Sequence, residues 1–136
     1  MGRVLAIDYG EKRTGLAVSD VDRIIASPLK TVSTSELLDF IADYLKEEEV
    51  DEFVVGLAKQ MNNTMSESSV FIEPFVNTLS QLYPDKKVNR VDERFTSKIA
   101  TESIRMAGAK KKKRQDKALV DMVSATIILQ DFLNSN

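Results

Sequence analysis

Three acidic residues lie at positions where a plain surface carboxylate is not expected. Asp8 directly follows Val4–Ile7, an apolar run typical of a buried strand. Glu93 follows a second predicted strand at Lys87–Val91, and Asp121 lies within the last predicted helix. Ligands of open α/β sheets bind at the carboxyl ends of the strands, so Asp8 and Glu93 are candidate catalytic acids.

Asp121 carries the sharper physical argument. At helical spacing it shares one face of its helix with Ala125, Ile128 and Phe132. A carboxylate on such a face loses hydration and must find a partner or titrate at a higher pH. Its structural alternatives are a favourable interaction with the helix dipole and a pair with a lysine.

The residue types that are missing narrow the chemistry. The chain has no His and no Cys, which excludes disulfides, thiolate nucleophiles and the usual histidine-dependent catalysis. Oxygen ligands favour hard cations, so we expect Asp8, Glu93 and Asp121 to share a site for Mg²⁺ or Mn²⁺. Two such ions, about 3.5–4 Å apart, can activate a water and stabilise the leaving oxygen of a phosphodiester.

Length and charge bound the protein class. At 136 residues with 43% hydrophobic content, the chain predicts one domain over 1–136. The net charge of -2 excludes a basic surface overall, so nucleic-acid affinity must come from a local patch. No apolar run approaches the roughly 20 residues that cross a bilayer, and the N-terminus does not resemble a secretory signal. We therefore expect a cytoplasmic protein with no membrane partner.

The apolar pattern supplies the elements that must position the acids. It predicts strands at Val4–Ile7, Thr14–Ser19, Ile24–Val32, Glu52–Leu57 and Lys87–Val91. Helices are predicted from Ser33 (with Glu36 completing a capping box) to Glu47–Glu49, around Phe71–Leu82, from Thr96 to Gly108, and over Asp116–Leu133. Pro74 predicts a kink or a later start in the second helix. This order favours an α/β fold with a mixed five-stranded sheet covered by helices.

Three segments resemble the motifs of the YqgF/RuvX family, and together they span almost the whole chain. VLAIDYGEKRTGLAVSD resembles the opening motif, VDERFTS the second, and ALVDMVSATIILQ the third. The chain departs from the family pattern after the fourth strand. Where the family has Gly-Leu-Pro and then Asn-Met-Asp-Gly, this sequence has Gly56-Leu57-Ala58 and a loop that continues to Thr64.

The resemblance implies an RNase H-like fold related to Holliday-junction resolvases, with helices on both faces of the sheet. It implies that the first strand lies in the middle, with strands two and three antiparallel to it. It also implies that Asp8, Glu93 and Asp121 are the catalytic acids of a nuclease. Family members are described as processing the 5′ end of precursor 16S ribosomal RNA.

Residues around the acids are candidates for nucleic-acid contact. Gly10 and Gly15 allow a tight turn or a close approach to phosphate, although an ordinary hairpin explains them equally well. Arg13 can clamp a phosphate bidentately or remain a solvated turn residue, and Arg94 directly follows Glu93. The basic run Lys110, Lys111, Lys112, Lys113 and Arg114 precedes the helix of Asp121, which favours non-specific contact with a phosphate backbone over a merely solvated loop.

Four functions are compatible with the sequence. The leading one is a metal-dependent nuclease acting on ribosomal precursor RNA. A Holliday-junction resolvase would use the same acids on branched DNA and would be expected to act as a dimer. The turn after Asp8 also resembles the first phosphate motif of actin-like and sugar kinases, which suggests an ATP-binding protein. Finally, a non-catalytic RNA-binding assembly factor could keep the fold without binding metal.

Overall fold

A computed structural model describes residues 2–57, 65–91 and 117–135 of the chain. The helix predicted at Thr96–Gly108, the basic run at Lys110–Arg114 and the atypical loop at Ala58–Thr64 lie outside these residues. Within the described ranges, no helix is both long and apolar enough to cross a membrane.

All five predicted strands are present, and most are longer than the apolar pattern suggests. They are β1 (Arg3–Tyr9), β2 (Arg13–Ser19), β3 (Ala26–Ser33), β4 (Val50–Leu57) and β5 (Lys87–Val91). β1 continues through Asp8 because the backbone ladders to both neighbouring strands extend past the apolar run. Asp8 is therefore held inside a strand and not in the loop after it.

The strands form one mixed sheet in the order β3-β2-β1-β4-β5, which confirms that β1 lies in the middle. β2 runs antiparallel to β1, and β4 and β5 continue the sheet in parallel. The expectation that β3 also runs antiparallel to β1 is wrong. β3 pairs antiparallel with β2 and therefore has the same direction as β1, as a meander of short connections requires.

Helices cover both faces of this sheet, as expected. The side chains of each strand alternate between the faces, so β1 contributes to two separate cores. Leu5 and Ile7 pack in the larger core with α1 (Leu37–Glu47) and α2 (Met65–Leu82). Val4 and Ala6 face α3 (Lys117–Asn134), whose Ala125, Ile128 and Leu129 complete the smaller core. By the same alternation Asp8 belongs to the α3 face.

The start of the first helix differs from its predicted capping box. A single 3-10 turn occupies Thr34–Glu36, and α1 begins only at Leu37. Ser33 makes no side-chain cap hydrogen bond, and neither does Glu36. The sequence pattern was misleading because the backbone at Ser33 still belongs to β3, where it pairs with Arg13.

The second helix passes through its proline. α2 runs from Met65 to Leu82 with Pro74 inside it, so the later start predicted at Pro74 is wrong. Proline removes one backbone hydrogen bond from a helix, at a cost of about 3 kcal/mol in an isolated helix. Burial of Ile72, Phe75 and Leu79 against the sheet stabilises the helix on both sides of that position.

Candidate active site

Asp8 is a buried carboxylate that lacks the usual compensation for burial. It is 2% exposed and lies near the carboxyl end of the central strand, on the face covered by α3. Among the described residues, neither Oδ1 nor Oδ2 has a hydrogen-bond partner. A buried ionised carboxylate without partners is costly, and native proteins rarely keep one unless it has a function.

The electrostatics around Asp8 point in the same direction. Burial raises the pKa of Asp8 well above its ordinary value, and the negative charge of Asp121 raises it further. The two acids therefore interact unfavourably when both are ionised. A cation bound by the two acids would relieve this repulsion and give the Asp8 carboxylate the partner that it lacks among the described residues.

Glycines on both neighbouring strands bring α3 close to Asp8. Asp8 pairs with Gly15 of β2 and with Gly56 of β4. A Cβ added to Gly15 would overlap the backbone carbonyl of Asp121, and one added to Gly56 would lie 2.9 Å from Cδ1 of Ile128. The backbone of the helix therefore lies against β2 at a distance that only glycine allows at position 15, whereas at Gly56 the nearest atoms are side-chain ends.

Asp121 is held by an arginine from the neighbouring strand. Arg13 lies two residues before Gly15, on the same face of β2, and its Nε donates to Oδ2 of Asp121 at 2.5 Å. The Asp121 side chain is 13% exposed and that of Arg13 is 39% exposed. The partner that the described residues give Asp121 is thus an arginine. Asp121 also lies beyond the first turn of α3, which weakens the helix-dipole explanation.

Arg13 keeps part of its hydrogen-bonding capacity. Within the described part of the chain its Nη1 and Nη2 atoms donate no hydrogen bond. Because the guanidinium is planar and rigid, fixing Nε on Asp121 also fixes the direction of the Nη pair. The arrangement leaves a donor edge beside the two acids, suited to an anionic oxygen.

The turn that carries Arg13 is fixed by residues that sequence reasoning missed. Thr34 donates from its amide to the Lys12 carbonyl and from its hydroxyl to the Gly10 carbonyl. Thr14 bonds to the Thr34 hydroxyl at 2.9 Å. A capping interpretation of the segment from Ser33 concealed this role, and only the β2–β3 register could have indicated it.

Ser124 is a second polar group in this region that the sequence did not single out. It lies three residues after Asp121 on α3 and is fully buried. Among the described residues its Oγ has no hydrogen-bond partner. Ser124 belongs to no motif in the sequence, so its burial is seen only in the packing of α3.

Within the described part of the chain, five candidate site residues lie together at one end of the sheet: Asp8, Gly10, Arg13, Gly15 and Asp121. Glu93, Arg94 and the basic residues 110–114 lie outside the described ranges. β5 ends at Val91, which is in register with Gly56 and through it with Asp8. Within residues 2–57, 65–91 and 117–135, no group of three potential metal ligands occurs, so the described residues supply a pair of acids.

Comparison with known proteins assigns the chain to a family. Residues 2–135 match the family model RuvX, described as Holliday junction resolvase. The chain belongs to the RuvX family. Because the match extends over almost all of the sequence, the family includes every segment that carries a candidate site residue.

Full-length relatives of this RuvX chain are found among Bacteroides. A protein of Bacteroides fragilis is 58% identical over 99% of this chain and 98% of its own length. A protein of Bacteroides thetaiotaomicron is 56% identical over the same shares. Both carry the name "Putative pre-16S rRNA nuclease".

Solved structures establish the fold of this RuvX member. Fowlpox virus resolvase, in complex with Holliday junction DNA, superposes with a TM-score of 0.58 at 12% identity, covering 98% of this chain and 97% of its own. T. thermophilus RuvC, in complex with a Holliday junction substrate, gives 0.58 at 16% identity, covering 99% and 95%. The fold is therefore RNase H-like, as the family resemblance implies.

Proposed function

We propose that this RuvX member is a divalent-metal-dependent nuclease that processes the 5′ end of precursor 16S ribosomal RNA in the cytoplasm. Phosphodiester hydrolysis is supported by the family description and by the names of the full-length relatives. The ribosomal substrate is supported by those names. We further propose that residues 1–136 form a single nuclease domain.

One observation carries the chemical part of the proposal. The two oxygens of Asp8 are buried without a partner among the described residues, and the charge of Asp121 lies close enough to raise the pKa of Asp8. This donor set consists only of carboxylate oxygens, which Mg²⁺ and Mn²⁺ prefer. The described donor set therefore fits a hard divalent cation.

In this proposal Asp8, Asp121 and Glu93 hold the metal. Asp8 offers both oxygens, and Asp121 is the neighbouring acid whose Oδ2 accepts from Arg13. When bound, divalent cations supply the positive charge that activates a water and offsets the charge on the departing oxygen. The short approach of α3 over Gly15 keeps the two described acids on one side of the sheet.

Arg13 orients the substrate. Its Nε remains on Asp121, and its Nη pair donates to a non-bridging oxygen of the phosphate next to the acids. The remaining proposed contacts with nucleic acid come from Gly10, Arg94 and the cations Lys110, Lys111, Lys112, Lys113 and Arg114. These contacts read the backbone and are independent of base sequence.

Cleavage assays test the proposal directly. A precursor RNA that spans the 5′ end of 16S rRNA is incubated with the protein and Mg²⁺ or Mn²⁺, and Asp8→Asn is compared with wild type. We expect cleavage by the wild type and loss of at least about a hundredfold in rate for Asp8→Asn. Asp43→Asn is the matched control, because Asp43 is an exposed acid on α1. Uncleaved RNA, or equal cleavage by Asp8→Asn, would contradict the proposal.

A specific observation also favours a second candidate, a resolvase of branched DNA. The family description names a Holliday junction resolvase, and the two structural neighbours described above are complexes with Holliday junctions. A four-way DNA junction in the same assay separates the candidates. Cleavage of the junction in symmetric pairs by a dimer would support the resolvase, since paired cuts require two sites related by symmetry.

A further inference from the structure

Thr34 connects three segments behind the candidate active site. Its amide donates to the Lys12 carbonyl at 3.0 Å, which continues the β2–β3 ladder by one residue beyond Ser33. Its hydroxyl donates to the Gly10 carbonyl at 2.7 Å and lies 2.9 Å from the hydroxyl of Thr14. One side chain thus joins the end of β3 to both arms of the β1–β2 turn.

The directions of these hydrogen bonds follow from counting protons. Thr34 has one hydroxyl proton and gives it to the Gly10 carbonyl, so Thr14 is the donor to Thr34. Thr14 is fully buried, which strengthens the dependence on this single partner. The result is a hydroxyl chain from Thr14 through Thr34 to Gly10.

Thr14 and Arg13 point to opposite sides of the sheet. Successive residues of β2 alternate between the faces, so Arg13 and Gly15 face α3 while Thr14 faces the other core. Thr14 is in register with Val32, which packs in the core of α1 and α2. The hydroxyl chain therefore supports the turn from behind, and among the described residues its hydrogen bonds do not include Asp8 or Asp121.

The turn itself has little room to rearrange. A Cβ at Gly10 would overlap the carbonyl of Arg13, so the two arms of the turn lie in close contact. The carbonyls of Gly10 and Lys12 both accept from Thr34, which fixes the backbone on either side of Glu11. Thr34, which directly follows β3, therefore holds the backbone that leads into Arg13.

We propose that Thr34 is a positioning residue for substrate binding, acting through the turn at Gly10–Arg13. By fixing this turn, Thr34 keeps Nε of Arg13 on Asp121 and directs the Nη pair toward the substrate phosphate. The inference rests on the proposed contact of Arg13 with phosphate. It adds that this contact depends on a hydroxyl on the opposite face of the sheet.

A double-mutant cycle tests this coupling without metal. Binding of a labelled RNA spanning the 5′ end of precursor 16S rRNA is measured in EDTA for wild type, Arg13→Gln, Thr34→Val and the double variant. We expect Arg13→Gln to weaken binding about tenfold and Thr34→Val about fivefold. In the Arg13→Gln background, Thr34→Val should weaken binding by less than about twofold, because its effect passes through Arg13.

Two further variants separate positioning from stability. Thr34→Ser keeps the hydroxyl and should restore binding to within about twofold of wild type. Thr78→Val is the control, because Thr78 also donates to a backbone carbonyl but does so within α2. It should leave binding unchanged while losing one comparable hydrogen bond. If Thr34→Val does not fold, Thr14→Val probes the same chain through the first donor, with the same expected direction.

The outcomes distinguish this inference from the proposed function. Equal losses from Thr34→Val in both backgrounds, or no loss in a folded Thr34→Val variant, would overturn the positioning role alone. No effect of Arg13→Gln would overturn the phosphate contact and the positioning role with it. Cleavage does not enter the measurement, so an inactive wild type would contradict only the proposed nuclease.

Discussion

Asp8 of β1 lies directly opposite Gly15 of β2, and the backbone carbonyl of Asp121 occupies the space that a side chain at Gly15 would need. This relationship brings an acid from a helix next to an acid from the central strand, although 112 residues (9–120) lie between the two acids in the sequence. Because Gly15 has no side chain, the helix can bring Asp121 close to Asp8. Arg13, two residues before Gly15, then holds the second acid from the side.

The first prediction concerns the destabilising effect of ionised Asp8 on the folded protein. Burial and the charge of Asp121 raise the pKa of Asp8, so the folded state keeps its proton at pH values where the unfolded chain has lost it. Ionisation of Asp8 therefore lowers the free energy of unfolding as pH rises from about 4. Without metal, Asp8→Asn should exceed wild type in stability by an amount that grows with pH, to on the order of 1–3 kcal/mol.

Urea unfolding in EDTA between about pH 3 and pH 8 measures this difference. Asp20→Asn is the control of opposite sign, because backbone amides of Ile25 and Ile24 lower the pKa of Asp20. Its stability relative to wild type should fall as pH rises to about 5 and stay constant above that, because ionised Asp20 stabilises the fold fully above the unfolded pKa. A pH-independent difference for Asp8→Asn would contradict the burial of an uncompensated charge.

The second prediction concerns the close approach of α3. Gly15→Ala places a Cβ against the backbone carbonyl of Asp121, which cannot move without shifting the helix. We expect a loss of about 2–3 kcal/mol in the free energy of unfolding and weaker Mn²⁺ binding. Both quantities are accessible by urea unfolding and calorimetric titration of the same sample.

Gly56→Ala is the matched control on the other side of Asp8. Its Cβ would meet Cδ1 of Ile128 at 2.9 Å and Cγ2 of Val91 at 3.2 Å, which are ends of side chains that can turn aside. The expected loss is about 1 kcal/mol, with smaller change at the metal site. Equal losses from the two alanine variants would argue against a special role for the backbone contact at Gly15.

The third prediction compares two buried serines. The hydroxyl of Ser124 has no partner among the described residues, so Ser124→Ala removes a buried polar group that gains nothing from the fold. We expect the free energy of unfolding to rise by about 1 kcal/mol. Ser19 is the counterpart, because it accepts from the Val4 amide and donates to the Asp20 carbonyl.

Ser19→Ala should therefore lower the free energy of unfolding by about 1–2 kcal/mol. Opposite signs for the two substitutions would follow from their different hydrogen bonding alone, since both side chains are fully buried. Destabilisation by Ser124→Ala as large as that of Ser19→Ala would show that Ser124 has a partner in the folded protein.

Much of the fold could be predicted because its signals are local. β1, β2 and β4 each carry a short apolar run, and the order of elements limits the sheet to few arrangements. Asp121 could be singled out because helical periodicity places it among Ala125 and Ile128. These inferences need only the spacing of residues along one element.

The remainder depends on contacts between distant segments. The pair of Arg13 and Asp121 joins residues 108 positions apart, and no pattern within either element indicates it. The sequence predicts that Gly15 allows a tight turn or a close approach to phosphate, whereas in the fold Gly15 admits the backbone of α3. Thr34 was concealed by a capping pattern that the strand register overrides. Register and interelement packing decide these roles, and a single sequence does not encode them locally.

The most direct test of the central claim is calorimetric titration of Mn²⁺ into the metal-free protein at neutral pH. Wild type should bind the ion saturably, because Asp8 and Asp121 present carboxylate oxygens on one side of the sheet. Folded Asp8→Asn should lose this binding, while Asp43→Asn should retain it. Absence of binding by wild type, or equal binding by Asp8→Asn, would contradict the assignment of these acids as metal ligands.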